Sequence, residues 1–304
     1  MPPAFDLQSH STHSDGALAA AEVVARAAQA GVELLALSDH DTVSGVSEAL
    51  AAGERLGLRV VPAVEISSID DPGPQTGGDG AGGTNGGTAR ELHILGYLID
   101  HTDPAFAATL SDFLSDREHR TLRMADALRE LGLTLDDAAI SERIRAGQPI
   151  GRPHLAEAVL SAPDNASRLA AEQIDDVGSL IRAYLIEGRP AFRLRETPTV
   201  AEAIDAIHSA GGIAIWAHPF WDVSGAEETL AMVERFRALG IDGIEAFYVT
   251  HTREQTELLA RRCAELDLLS TGSSDFHGPD NRLFSRFLAF ATYDLEPNLG
   301  PLLG

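Results

Sequence analysis

Short apolar runs alternate with helical patterns in the first and last thirds of the chain. Residues 32–38 and 58–67 are apolar enough for strands buried on both faces, and a helical pattern over 43–56 separates them. Gly57 follows that pattern and is typical of a helix C-terminus. This rhythm predicts parallel strands joined by crossover helices, and therefore an open α/β sheet or an α/β barrel.

The middle of the chain has a different pattern. Residues 104–196 read as mainly helical, with many arginines and no strand pattern. The strand–helix rhythm then returns. We therefore predict one discontinuous domain, formed by 1–103 and 197–304, that is interrupted by a helical insertion acting as a cap over 104–196.

Residues 70–89 form a glycine-rich stretch that is predicted to be a flexible surface loop, because it can bury too little apolar surface to become ordered. No Gly-Lys-Ser/Thr sequence follows it, so it does not match a phosphate-binding loop.

Composition limits the cellular setting and the partners. The formal net charge is -23, and such a field repels polyanions, which argues against a nucleic-acid polymer as a partner. No apolar run reaches the roughly 20 residues of a membrane helix, and no secretory signal is recognisable at the N-terminus. We expect a cytoplasmic protein without membrane association. The single cysteine, Cys263, excludes an internal disulfide and is expected to pack inside a helix.

Histidines and carboxylates recur where predicted strands end. They lie in DLQSHSTHSDG (6–16), LSDHDT (37–42), ELHILGY (91–97) and the pair AHP (217–219) and SSDFHG (273–278). In parallel α/β folds, the carboxyl ends of the strands meet on one face, so these side chains are expected to converge. The candidate metal ligands are His10, Asp15, His40, Glu65, His93, His218, Asp275 and His277.

These residue types suit divalent metal ions that activate water for phosphate-ester hydrolysis. Taken singly, each histidine could be structural, Asp15 could be a turn residue and Asp39 a helix cap. Glu65 is harder to explain in that way, because a carboxylate inside an apolar strand needs a cation. A serine hydrolase would require a nucleophile such as Ser273 or Ser274, and no GxSxG motif surrounds either serine.

Taken in order, these motifs resemble the signatures of the PHP family, named for polymerase and histidinol phosphatase. The resemblance covers roughly 1–100 and 197–290, while the segment between resembles the helical insertion of a small-molecule phosphoesterase subgroup, including GRPH at 151–154. It implies a distorted (β/α)7 barrel with a helical cap and two or three divalent ions, Mn, Fe or Zn. The family pattern assigns His10, Glu65 and Asp275 to one ion, Glu65, His93 and His218 to a second, and Asp15, His40 and His277 to a third.

Gln8 departs from the family pattern, which begins with two alternate histidines. An amide oxygen is a poorer ligand than imidazole for Zn or Mn, so the first ion could be weakly held or the cluster dinuclear. A metal- or nucleotide-binding protein with little catalysis is the corresponding alternative to an enzyme.

The resemblance also implies a substrate class. A small phosphorylated metabolite is expected, with a nucleoside 3′,5′-bisphosphate that loses its 3′-phosphate favoured. Alternatives are a cyclic phosphodiesterase, a histidinol-phosphatase-like enzyme and an exonuclease, the last opposed by the charge. Arg152, His154, Arg195 and His251 are the candidate substrate contacts, although the two arginines could equally be surface charges. His218 and His251 are the candidate catalytic histidines, while His251 could equally cap the next helix.

Overall fold

Seven strands form one sheet whose order follows the chain. The computed structural model describes residues 4–71, 89–146, 150–194 and 198–304. The strands are β1 Phe5–Asp6, β2 Leu34–Leu37, β3 Arg59–Asp70, β4 Arg90–Tyr97, β5 Ile213–Trp216, β6 Gly243–Tyr248 and β7 Leu269–Ser273. The two edges approach each other, because the Leu7 N–H donates to the Gly272 carbonyl at 3.1 Å and the His10 N–H to the Phe276 carbonyl at 2.8 Å. The sheet is therefore a nearly closed barrel, as predicted.

β4 breaks the parallel pattern. It is antiparallel to both β3 and β5, with Ser67 opposite His93 and Ile94 opposite Trp216, whereas the other neighbouring strands are parallel. The strand-and-helix rhythm predicted only parallel pairs. The segment between β3 and β4 contains no helical pattern, so the chain can return beside β3 in the opposite direction. Of the predicted loop 70–89, residues 72–88 lie outside the described residues, and Asp70 is the last residue of β3.

Helices cover the outside of the sheet. They are α1 Ala20–Gln29, α2 Val46–Leu56, α3 Pro104–Glu130, α4 Asp137–Arg145, α5 Arg152–Leu160, α6 Ala166–Ala171, α7 Val177–Leu180, α8 Val200–Ser209, α9 Pro219–Asp222, α10 Ala226–Ala238 and α11 Arg253–Leu266. Gly57 ends α2 with a φ of 69°, which glycine adopts without steric cost. None of the helices in the described ranges combines the length and apolar character that crossing a membrane requires.

Helices α3–α7 form a region of their own. Among the described residues between 104 and 194 there is no strand. Side chains from Met124 to Ala191 pack into one buried cluster, separate from the clusters that line the sheet. We refer to α3–α7 as the helical region.

One end of the barrel is closed by apolar packing. Tyr97, Leu7 and Leu95 are fully buried there with Leu302 from the C-terminal 3-10 turn, and the Tyr97 hydroxyl donates to the Leu7 carbonyl at 2.7 Å. Because this end is filled, the only end of the described barrel that can admit a ligand is the one where the parallel strands finish.

Candidate metal centre

Glu65 lies at the centre of a group of imidazoles at this open end. Its side chain is buried, and its two carboxylate oxygens face different histidines. Oε1 lies 2.7 Å from Nδ1 of His93 and 3.2 Å from Nε2 of His218. Oε2 lies 3.1 Å from Nε2 of His10 and 3.6 Å from Nδ1 of His40. A carboxylate flanked in this way can bridge two cations, each shared with a separate pair of imidazoles.

Two further carboxylates complete the group. Asp275 Oδ1 lies 3.1 Å from Nε2 of His10 and 3.5 Å from Nδ1 of His277. Asp15 lies 3.7 Å from Nε2 of His40 and 3.6 Å from Nε2 of His277. Three overlapping sets have donor atoms within 4.8 Å of one another. They are His10–Glu65–Asp275, His40–Glu65–His93 and His10–Asp15–His40–His277.

The ends of the strands explain why residues distant in sequence meet here. His10, His40 and His218 each follow the end of a strand by two to four residues, and Asp275 follows β7 by two. His93 instead lies inside β4, opposite Ser67 of β3. Because β4 is antiparallel, its first half lies at the end of the barrel where its neighbours finish. The expected convergence is observed, and for His93 it depends on this reversal.

A tight turn carries Asp15 into the group. The N–H groups of Ser14 and Gly16 donate to the Ser11 carbonyl at 3.0 and 2.9 Å. A Cβ atom at position 16 would lie 2.2 Å from the His10 carbonyl oxygen, so only glycine allows this close approach. The Ser-Asp-Gly sequence is therefore required by the backbone as well as by the carboxylate.

Two side chains of the group lie on strained backbone. His218 has a φ of 30° and Asp275 a φ of 53°, in the left-handed region that non-glycine residues rarely adopt. Each such conformation costs on the order of 1–3 kcal/mol. Hydrogen bonds hold both in place, because the His218 N–H donates to Glu245 at 2.9 Å and the Tyr248 hydroxyl donates to Asp275 at 2.8 Å. Strain of this kind clusters at functional sites.

The residues present fit divalent metal ions. Several of their buried polar atoms have no partner in hydrogen-bonding geometry among the described residues: His10 Nε2, Asp15 Oδ1, His40 Nδ1, His218 Nδ1 and Asp275 Oδ1. Leaving such atoms unsatisfied costs about 1–3 kcal/mol each, and cations would satisfy several of them together. Burial by itself raises the pKa of Glu65, but the imidazoles of His40 and His93 hold that pKa well below its usual value. The carboxylate is therefore charged and able to bind a cation.

Gln8 is buried beside these ligands but its amide oxygen is turned away from them. Its Nε2 donates to Glu65 Oε2 at 2.9 Å, and its Oε1 lies 3.3 Å from the Ser273 hydroxyl. In this orientation Gln8 presents a donor to the bridging carboxylate, and a donor N–H cannot bind a metal ion.

A second set of carboxylates lies behind the ligands and was not found from the sequence. Asp6 accepts from the N–H groups of Ser274 and Leu288 at 2.9 and 2.8 Å. Glu245 accepts from the Ser273 hydroxyl at 2.6 Å. Burial raises the pKa of Asp6 to about 7 and that of Glu245 to about 8. A carboxylate within the apolar strand β6 is the same signal that identified Glu65, and it could have identified Glu245.

Asp39 belongs to this second set. Its side chain accepts from the Ser11 N–H at 2.7 Å and from the Ser14 hydroxyl at 2.6 Å. The alternative that Asp39 caps a helix is wrong, because α2 begins at Val46 and its N-cap is Gly45. Asp39 instead fixes the turn that carries Asp15. Asp6, Asp39 and Glu245 are referred to below as the supporting carboxylates.

A cavity of about 120 Å³ opens directly onto the group. Its walls include six of the eight candidate ligands and the rings of three further aromatic residues: His40, Glu65, His93, His218, Asp275, His277, Trp221, Tyr248 and Phe284. A small anionic group could therefore enter and meet the cluster from solvent.

Two arginines of the helical region reach this end of the barrel and were also not found from the sequence. Arg117 is 9 % exposed, and its Nη1 donates to Asp41 and to the Ser67 hydroxyl, both at 3.1 Å. Arg143 donates from Nη2 to the Ser14 carbonyl at 2.6 Å, next to Asp15. For Arg117 the sequence did contain a signal. It lies on the buried stripe of α3, at helical spacing from Phe106 and Leu110, where an arginine needs a partner inside the protein.

The predicted substrate contacts lie in different surroundings. Arg152 pairs with Glu91 at 3.2 Å and does not line the cavity. His154 accepts from the Gly151 N–H at 3.1 Å, as the cap of α5, and burial lowers its pKa to about 4. Together with Arg143 it lines a separate cavity of about 580 Å³ between α4 and α5. Arg195 lies outside the described residues.

His251 lies behind the cavity wall. Its Nδ1 lies 3.2 Å from the Ala246 carbonyl, its ring packs against Phe220 and Tyr248, and burial lowers its pKa to about 4. It does not line the cavity. N-capping of α11 is performed by Thr252, which accepts from the Gln255 N–H, so His251 does not have that role. Its part in proton transfer stays a prediction.

The nucleophile alternatives find no support among the described residues. Ser273 and Ser274 donate to the supporting carboxylates Glu245 and Asp6. Cys263 is buried in α11, and burial raises its pKa to about 12, so it remains a neutral packed thiol as expected.

Comparison with known proteins identifies a family of similar sequences. The model of the PHP domain matches residues 6–188. A 5′–3′ exoribonuclease of Haemophilus influenzae is 34% identical over 280 residues, covering 92% of both chains. A phosphoribosyl 1,2-cyclic phosphate 1,2-diphosphodiesterase of Eggerthella lenta is 31% identical, covering 91% of this chain and 95% of its own. A 3′,5′-nucleoside bisphosphate phosphatase of Chromobacterium violaceum is 30% identical, covering 90% and 87%.

Solved structures show the same architecture. A Chromobacterium violaceum amidohydrolase with bound sulfate and no metal superposes with a TM-score of 0.74 at 29% identity, covering 93% of this chain and 90% of its own. A Bifidobacterium adolescentis protein assigned as a metal-dependent phosphoesterase superposes with a TM-score of 0.71 at 26% identity, covering 93% and 91%.

Proposed function

The chain belongs to the PHP domain family and is a metal-dependent phosphoesterase, and from that premise we propose that it removes the 3′-phosphate of a nucleoside 3′,5′-bisphosphate. The observation that carries this proposal is a pair of cationic regions on either side of the Asp15 turn. One is the metal centre. The other is formed by Arg143, which donates to the Ser14 carbonyl of this turn, and by Arg117, which is paired with Asp41 and lies close enough to lower the pKa of Asp15.

Two separated cationic regions suit a substrate with two phosphate groups. The protein as a whole has a net charge of -23, which repels such a substrate unless the local charge is reversed. Metal ions held by the candidate ligands would supply positive charge on one side of the Asp15 turn, and the guanidinium groups supply it on the other. Burial lowers the pKa of Arg143 from its usual value, and nearby Asp15 opposes that effect. Because a guanidinium group is not deprotonated in proteins, Arg143 is a cation.

The ligands of the proposed metal ions are the eight side chains around Glu65 and Asp15. When bound, divalent ions supply Lewis-acid stabilisation of phosphoryl oxygens and lower the pKa of water. Phosphate-ester hydrolysis then transfers the water oxygen to phosphorus and breaks the bond to the 3′ oxygen. A proton is delivered to that oxygen, and the products are inorganic phosphate and a nucleoside 5′-monophosphate. His218, in the cavity wall, and His251, behind it, are the proposed histidines for proton movement.

A phosphate-release panel with added Mn²⁺ tests the substrate. It compares adenosine 3′,5′-bisphosphate with 3′-AMP, 5′-AMP, a cyclic phosphodiester and sugar phosphates. We expect the bisphosphate to have the highest kcat/KM. Arg143→Ala should lower that value about tenfold for the bisphosphate and less for 3′-AMP. Arg129→Ala is the matched control, since Arg129 is a solvent-exposed arginine paired with Asp126 and Asp137.

The proposal is wrong if the monophosphates are hydrolysed as efficiently as the bisphosphate in the wild-type protein. Preferred hydrolysis of the cyclic phosphodiester or of a sugar phosphate would assign the site to a different substrate class. Bound metal without release from any of these compounds would favour a binding protein.

A 5′–3′ exoribonuclease is the second candidate, favoured by the 34% identity to the Haemophilus influenzae enzyme. The acidic surface opposes binding of a long polyanion, whereas the 5′-terminal nucleotide of a short RNA would need only the local cationic regions. Digestion of a 5′-phosphorylated RNA oligomer, followed on a gel, would produce a ladder of mononucleotide steps if this candidate is correct.

A further inference from the structure

Two aromatic side chains form part of the rim of the metal cavity. Trp221 and Phe284 both line the cavity, and Trp221 is 50% exposed. The other tryptophan of the chain, Trp216, is fully buried beneath the sheet. An indole that remains half exposed next to a polar cavity loses the free energy that burial would provide, about 25 cal/mol per Å². Such a side chain at a cavity mouth is a candidate ligand contact.

Both rings are attached to the metal centre through short backbone connections. Trp221 lies on α9, and its N–H donates to the His218 carbonyl at 2.8 Å. The Phe284 carbonyl accepts from the His277 N–H at 2.9 Å, and the Asn281 side chain accepts from the Phe284 N–H at 3.0 Å. The two aromatic residues are therefore positioned by the same segments that carry two of the candidate ligands.

The rings form a continuous path from solvent to the cluster. The centroid of Phe284 lies 5.5 Å from that of His277 and 5.6 Å from that of Trp221. The planes of Trp221 and Phe284 are inclined by 65°, so the two rings do not stack on each other. A ligand with its phosphate at the cluster would thus carry the remainder of its structure past Phe284 and toward Trp221.

We propose that Trp221 and Phe284 form a stacking subsite for the base of a nucleotide whose phosphate lies at the metal centre. This inference rests on the proposed function, the hydrolysis of a nucleotide phosphoester, and it identifies the base as the part of the substrate that the rim recognises. A nucleobase is planar and aromatic, and base–aromatic stacking tolerates any base, since every base has a π face. The rim is therefore expected to select nucleotides over phosphorylated sugars without choosing among bases.

Paired substrates separate base recognition from phosphate recognition. Trp221→Ala and Phe284→Ala should each raise KM for adenosine 3′,5′-bisphosphate roughly tenfold. KM for ribose 5-phosphate, which has no base, should change less than twofold. Trp221→Phe should retain most of the affinity, because a phenyl ring can still stack. Leu283→Ala is the matched control, since Leu283 is also 50% exposed and lies beside Phe284 but does not line the cavity.

Tryptophan fluorescence gives a readout that does not depend on turnover. Adenosine 3′,5′-bisphosphate added with EDTA present, and again with Mn²⁺, should quench the emission of Trp221, while buried Trp216 provides the residual signal. The quenching should disappear in Trp221→Phe. If the wild-type protein releases no phosphate from any compound but the quenching occurs, the proposed function fails and the stacking subsite stands.

Three results would overturn the subsite. Equal loss of affinity for the bisphosphate and for ribose 5-phosphate in Trp221→Ala would mean that the ring contacts sugar or only supports the fold. Unchanged KM values in both alanine variants would mean that the rings do not contact substrate. Phosphate release from the bisphosphate without any quenching of Trp221 would exclude stacking on the indole.

Discussion

The candidate ligands and the supporting carboxylates are both buried, yet their surroundings differ in kind. Glu65, Asp15 and Asp275 face imidazoles, and buried atoms of this group have no hydrogen-bond partner among the described residues. Asp6 and Glu245 face serine hydroxyls and backbone N–H groups. The difference teaches that burial alone does not identify a metal ligand. Buried polar atoms that lack a hydrogen-bond partner and point into a common space are the better sign of a metal ligand.

The same contrast appears in the pKa values. Burial opposes ionisation in both sets, but the imidazoles around Glu65 and Asp15 hold their pKa values well below the usual range. Burial outweighs the lowering effects at the other two carboxylates and raises the pKa of Asp6 to about 7 and that of Glu245 to about 8, although His218 beside Glu245 opposes the latter rise. Glu65 and Asp15 are therefore arranged to be charged, whereas Asp6 and Glu245 hold protons at pH values where free carboxylates have lost them.

Replacement of the two buried glutamates tests this contrast most strongly. Glu65→Gln should lose bound metal and at least about a thousandfold in kcat, because the bridging charge is removed. Glu245→Gln should retain metal and lose less than about tenfold, because an amide resembles the protonated acid. Metal content by mass spectrometry and phosphate release are the measurements. His40→Ala should behave like Glu65→Gln, and retained turnover in either variant would contradict the metal assignment.

Metal removal should have the next largest effect. A cation bound at about a hundred times its Kd stabilises the folded protein by about 3 kcal/mol, so EDTA should lower Tm by several degrees. Glu65→Gln should show little response to EDTA, while Glu245→Gln should respond like the wild-type protein. Equal responses in both variants would remove the distinction between the two sets.

Asp6 should produce a pH dependence of stability in the metal-free protein. Its folded pKa of about 7 lies above its value of 3.8 in an unfolded chain, so the folded state binds the proton more tightly. Its contribution to stability is full below about pH 4 and is lost as the pH rises through 7. The free energy of unfolding should therefore fall by about 2 kcal/mol less in Asp6→Asn than in the wild-type protein between about pH 5.5 and about pH 7. Urea denaturation of both proteins at several pH values measures this free energy. If it changes with pH by the same amount in both proteins, the raised pKa of Asp6 is refuted.

Gln8→His should have the smallest effect. An imidazole at this position would replace a donor N–H with a metal ligand, and we expect the metal content to rise by up to one ion per chain. Affinity for that ion should increase roughly tenfold. Titration with Mn²⁺ followed by calorimetry measures both quantities. An unchanged metal content would indicate that the wild-type cluster is already complete without a ligand at position 8.

Much of the fold could be predicted from local sequence. Helix positions agree closely, for example 43–56 predicted against Val46–Leu56 observed, because apolar periodicity and a terminal glycine such as Gly57 are local features of the sequence. The direction of β4 could not be predicted, since an antiparallel return and a crossover differ in the path of the connecting segment rather than in the strand itself. The division of the chain into barrel and cap remains a prediction.

The sequence by itself determined the type of ligand and the order of the motifs, because residue chemistry and strand ends are local properties. Only the tertiary structure decided which atoms face each other. It placed Glu65 between two pairs of imidazoles and oriented Gln8 as a donor. It also brought Arg117 to Asp41 and Arg143 to the Ser14 carbonyl, next to Asp15, from another region of the chain. These contacts join residues far apart in sequence, and their geometry depends on how the strands close and the helices pack. That information is carried by no single segment.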